Sequence, residues 1–148
     1  MKFSLLLIAS VLQLTTFAAR AQTCSNADGV KAEEAVDHLN SWSDVRAAFV
    51  RYAPQCDNGG VAEGFGDRVV HLLATRWRSL YELDEMMIKD DAFRKFVLRH
   101  IDATADTDEL RAIAQHSQSC LKKDRPLCKQ LNRAALEAID EEEKAEQG

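Results

Sequence analysis

Glu63, Asp67 and His71 recur every fourth residue, so on a helix they would share one stripe, with Arg68 beside it. Two carboxylates and an imidazole in that pattern could hold a metal ion or pass a proton. The plainer reading is electrostatic: acids favour the positive start of a helix, and a histidine suits its polar edge. Asp102, Thr104, Asp106 and Asp108 place side-chain oxygens at alternating positions, as a calcium loop does. That pattern then fails. An EF-hand starting at Asp102 needs glycine at its sixth position and glutamate at its twelfth, where this chain has Thr107 and Ile113. A helix connection closed by an Asp106-x-x-Glu109 cap accounts for the same residues. Nucleophilic catalysis lacks a G-x-S-x-G elbow, and Gly59-Gly60 and Gly64-x-Gly66 lack the lysine and spacing of a phosphate loop. His38, His71, His100 and His116 stand alone in their segments and read as helix-surface or boundary residues. The sequence therefore predicts no enzyme and no cofactor.

Cys24, Cys56, Cys120 and Cys128 form neither a C-x-x-C redox motif nor a paired zinc spacing. An even count in an exported chain predicts disulfides, with three possible connectivities. Cys24–Cys56 and Cys120–Cys128 are favoured, because each pair is nearest in sequence and flanks expected helix ends. Export is read from Lys2, the apolar run Phe3 to Leu14, and Ala19-Arg20-Ala21, which together predict a cleavable signal at 1–21 ending before Gln22. The run falls short of the roughly 20 apolar residues of a membrane span, so no stable membrane insertion is expected. One helical domain at 22–140 and a frayed acidic tail at 141–148 follow, in the periplasm or secreted. The formal charge of −5 gives no electrostatic footprint for nucleic acid. No Asn-x-Ser/Thr acceptor occurs, which leans toward a bacterial periplasm.

Apolar residues recur at steps of three and four almost throughout, and no segment sustains the alternation of a strand. Helices are expected from about Val30 to Leu39, from Ser41 to Pro54, and from Val61 along a stripe through Trp77, with or without a bend near Ser79, to Ile88. Further helices start at Asp90, at Asp106-x-x-Glu109 and at Asp124 before Pro126. The fold class is all-α: a five- to six-helix antiparallel bundle or irregular helical array, stapled by two disulfides. Trp42, Trp77 and Tyr81 are the aromatic residues best placed to reach the surface, although tryptophans at helical spacing are more often core.

Two stretches, Cys56-Asp57-Asn58-Gly59-Gly60-Val61-Ala62-Glu63-Gly64-Phe65 and Arg94-Lys95-Phe96-Val97-Leu98-Arg99-His100-Ile101-Asp102-Ala103-Thr104, resemble small exported four-cysteine helical proteins of proteobacteria. The resemblance implies location and fold, and brings no activity with it. In overall form the chain is also similar to periplasmic immunity proteins that block amidase toxins. The expected function is an exported, non-catalytic protein-binding domain, such as an inhibitor or immunity factor, whose partner is another exported protein. Asp57, Asn58, Glu63 and Phe65, at a glycine-rich turn beside an anchored cysteine, are its candidate contacts. The alternative is a small ligand- or metal-binding periplasmic protein using Glu63, Asp67 and His71.

Overall fold

In the computed structural model, which describes residues 23–121 and 125–147, seven α-helices follow in order. They are α1 (Asn26–Val36), α2 (Trp42–Cys56), α3 (Gly59–Thr75), α4 (Leu80–Lys89), α5 (Asp91–Arg99), α6 (Thr107–Ser117) and α7 (Arg125–Glu146). A 3-10 turn at Trp77–Ser79 precedes α4, and no strand occurs among the described residues. The chain is all-α, with seven helices where five or six were expected, because the long stripe from Val61 to Ile88 breaks at Arg76. The expected signal at 1–21 and the Asp124 start lie outside the described residues. Among those residues no helix is long and apolar enough to cross a membrane.

Side-chain caps set the helix starts by satisfying backbone N–H groups that have no partner within the helix. Ser41 accepts from the Asp44 N–H at 3.2 Å, Asp90 from Phe93 at 3.0 Å and Asp106 from Glu109 at 3.0 Å, as their spacing predicts. Ser25 caps α1 through the Asp28 N–H at 3.1 Å, which moves that helix's start from Val30 to Asn26. Pro54 does not end α2, which runs on to Cys56. A proline there removes one backbone hydrogen bond, to the carbonyl of solvent-exposed Val50. The acidic segment after Asp140 is helical as far as Glu146, and Thr107 Oγ1 donates to Glu142, so α7 continues past the expected domain end with Glu142 held against α6.

Hydrogen bonding also sets an acid limit at the α4–α5 corner. The Phe93 N–H, ahead of the Arg46 charge, holds the Asp90 carboxyl below its ordinary value. Lys95 and Arg94 hold Asp91 at about 2. Depressed carboxyls contribute stability above their unfolded value that is lost as pH falls through the folded one. Thermal stability should therefore fall between about pH 4 and pH 2, and Asp90→Asn with Asp91→Asn should flatten that limb; an unchanged acid limb in the double variant would refute the assignment.

The core centres on an aromatic layer in which Phe49, Phe65 and Phe93 surround Phe96. The Phe65 and Phe96 rings meet edge-on with centroids 4.9 Å apart, and Phe49 and Phe96 at 4.8 Å. Helix directions follow from the contacts. Cys24–Cys56 ties the start of α1 to the end of α2, and Cys120–Cys128 closes α6 onto α7, so these pairs run antiparallel. Two other pairs rise together: Val36 with Gly64 and Asp37 with Arg68 between α1 and α3, Arg46 with Asp90 and Asp57 with Arg99 between α2 and α5. The architecture is thus the irregular array and not an up-and-down bundle.

The α1–α3 contact depends on Gly64. A Cβ there would lie 2.5 Å from Val36 Cγ2 and 3.2 Å from Val36 Cβ, and Val36 is a buried, stiff β-branched residue that cannot swing aside. Gly64→Ala should cost about 1–3 kcal/mol by overpacking. Adding Val36→Ala should recover part of that loss, measured by urea unfolding. A double variant less stable than both single variants would disprove the steric cause.

Candidate functional site

The structure separates the sequence's candidate residues into three groups. At the Cys56–Phe65 turn, Asp57 and Phe65 are not available to a partner. Phe65 is completely buried, because its ring completes the aromatic layer against Phe96. The Asp57 side chain is only 7% exposed: Oδ1 accepts from His100 Nε2 at 3.0 Å and Oδ2 from Arg99. Its role is to join the α2–α3 turn to the end of α5. Asn58 and Glu63 are exposed, and Asn58 makes no side-chain cap bond.

The stripe on α3 forms a second group, without Glu63. Asp67 and His71 line a polar cleft of about 440 Å³ with Asp37, Arg68, Asp106 and Glu109. Its polar groups are partly paired: His71 Nδ1 lies 2.7 Å from Glu109 Oε1, and Arg68 donates to the Asp37 carbonyl at 2.9 Å. Among the described residues, no group of three or more histidine, cysteine or acidic side chains is arranged to hold a metal ion. The candidate calcium segment is a turn, in which Asp102 Oδ1 accepts from the Thr104 N–H at 2.9 Å and its hydroxyl at 2.6 Å.

The third group lies where the long stripe breaks. Arg76 leaves helical geometry at φ −120° and ψ 38°, and the chain takes one 3-10 turn before α4. Ser79 secures the break, donating to the Arg76 carbonyl at 2.8 Å and accepting from Trp42 Nε1 at 3.0 Å. Trp42 is itself buried, so the corner is fixed from the core side. The break turns Arg76 and Arg78 into solvent and leaves Trp77 half-buried, its indole stacked on His116 with centroids 5.3 Å apart. His116 Nε2 donates to the Ala74 carbonyl at 3.1 Å, which holds the imidazole under the indole.

Clefts flank Trp77 on two sides. One, of about 610 Å³, lies over Ala74, Thr75, Arg76 and His116; the other, of about 270 Å³, lies over Tyr81, Cys120 and Leu121. Tyr81 and Leu121 are exposed, and the Tyr81 hydroxyl donates to Glu82, whose carboxylate raises the phenol above its ordinary value.

Charge also distinguishes the corner. Arg46, Arg68, Arg94, Arg99, Arg111 and Arg133 each meet a carboxylate or carbonyl, and Arg51 lies over the Tyr52 ring. Among the described side chains, Arg76 and Arg78 are the arginines without such a partner. Sequence reasoning named Trp77 and Tyr81 as aromatic residues able to reach the surface, but missed the arginines beside them. The available signal was the alternation Arg76-Trp77-Arg78 in an acidic chain. Comparison with protein-family models, curated proteins and solved structures returns no match.

Proposed function

We propose that the chain is an exported, non-catalytic protein-binding domain, of the inhibitor or immunity-factor kind, whose contact face is the Arg76–Tyr81 corner. The observation that carries this reading is a half-buried tryptophan held on a rigid turn between two unpaired guanidinium groups. Tryptophan and arginine are the residues that most often dominate binding at protein interfaces, and a fixed turn loses little entropy on association. Two disulfides are in keeping with an oxidising compartment.

The test is site-specific photo-crosslinking in cells. A benzoylphenylalanine at Tyr81 should yield a discrete protein adduct, whereas the same group at Val50, also exposed but on α2, should not. Adducts at both positions or at neither would overturn the assignment of the face. A small-ligand protein is the second reading, and the polar cleft at Asp67 and His71 favours it. It would gain if Arg68→Ala, and not a change at the corner, abolished the protein's function.

A further inference from the structure

Resting on that reading, we infer that the segment recognised at the corner is an acidic peptide carrying an apolar side chain, laid across Trp77 with its carboxylates against Arg76 and Arg78. Charge complementarity commits the site to this occupant. A guanidinium is a planar fork of donors suited to carboxylate, and these two have none among the described residues. The remaining ingredients are apolar. Trp77 forms a ridge, with a cleft on each side large enough for a side chain, and Leu121, 67% exposed, stands in the wall of the smaller one. A linear partner crossing that ridge can fill both clefts while its backbone passes over the indole. His116 contributes by position: it supports the indole from below and lines the larger cleft.

The rest of the molecule argues against other anionic surfaces. Net charge of −5 repels an extended anionic lipid surface or a nucleic acid, whose fields act over the whole protein. A short peptide meets only the corner. Salt therefore matters in a defined way: exposed charge pairs weaken as the Debye length shrinks, whereas the apolar contact persists.

The experiment uses tryptophan emission, because the chain has two tryptophans and one of them, Trp42, is buried in the core. The disulfide-bonded protein is titrated with three capped hexapeptides: EDLFDE, its charge reversal KRLFRK, and the neutral SNLFNS. EDLFDE should give a saturable change with Kd below about 1 mM, absent in Trp77→Phe. Arg76→Glu with Arg78→Glu should weaken it at least tenfold at unchanged melting temperature, and 0.5 M salt should weaken it several-fold. Binding KRLFRK or SNLFNS as tightly as EDLFDE would overturn the inference, as would EDLFDE binding unaffected by the arginine variant. Sedimentation with anionic phosphatidylglycerol vesicles in place of peptide binding would overturn it in favour of a lipid surface. If Tyr81 crosslinks a protein in cells while EDLFDE fails to bind, the acidic-peptide inference falls and the face stands. If Tyr81 crosslinks nothing, the face itself falls.

Discussion

Replacing Asp57 by alanine should destabilise the fold by about 2–3 kcal/mol, the usual cost of losing a hydrogen bond to a charged group and leaving a buried donor without its acceptor. The carboxylate is 7% exposed and faces His100, which is 3% exposed, so water cannot easily take its place. His100 is already held on its other side: Nδ1 donates to the Phe96 carbonyl at 2.8 Å, and the ring packs 4.2 Å from Phe96. It cannot turn to find a new acceptor for Nε2 without breaking both. Arg99 contributes less, because its side chain is 66% exposed and screened by solvent. Asp57→Asn keeps the shape and one acceptor oxygen, and should lose roughly half as much. Urea unfolding measures both. A loss under about 1 kcal/mol for the alanine variant would mean that the α2–α3 turn is not anchored through this pair.

Breaking the Cys24–Cys56 disulfide should cost about 3–4 kcal/mol, and breaking Cys120–Cys128 about 2–3 kcal/mol, because the longer loop restricts the unfolded chain more. The first closes 32 residues and the second 8. Against a total stability of roughly 5–15 kcal/mol, loss of both brings a small domain close to unfolding. Paired serine substitutions separate the two contributions in melting experiments. A larger loss from Cys120→Ser/Cys128→Ser than from Cys24→Ser/Cys56→Ser would contradict the loop-entropy order. The consequences also differ in place. Cys120 and Leu121 stand in the smaller cleft beside Trp77, so only the second pair of substitutions should also disturb the corner.

Local interactions were legible in the sequence, and long-range ones were not. The starts at Ser41, Asp90 and Asp106 could be read because a cap and its target lie three residues apart. The disulfide pairing was readable for a similar reason, since neighbouring cysteines flanked neighbouring helix ends. Asp57 illustrates the opposite case. In the sequence it sits in a glycine-rich turn, where an aspartate is ordinarily a solvated turn former, and its partner His100 is 43 residues away. Phe65 misled in a related way: it falls on the expected apolar stripe of α3 yet lies close enough to the glycine-rich turn to read as a candidate contact, and the fold commits it wholly to the core. The break at Arg76 was ambiguous because the apolar stripe continues through Leu80 and Leu83. What ends the helix is the Ser79 and Trp42 contact, which only the tertiary fold supplies. The polar cleft likewise needs Asp37 and Glu109 from other helices to meet Asp67 and His71.

The proposed function places recognition at the Arg76–Tyr81 corner and makes the Cys56–Phe65 turn architectural. One measurement tests it most directly: quantitative mass spectrometry of exported proteins captured on immobilised wild type, on Arg76→Glu/Arg78→Glu and on Asn58→Ala/Glu63→Ala, each variant first shown to melt within a few degrees of wild type. The expected result is that the arginine variant loses at least tenfold of the specific capture, about 1.4 kcal/mol or more, while the turn variant retains it. Capture undiminished by the arginine changes but lost with Asn58 and Glu63 would contradict the claim and return the binding face to the turn.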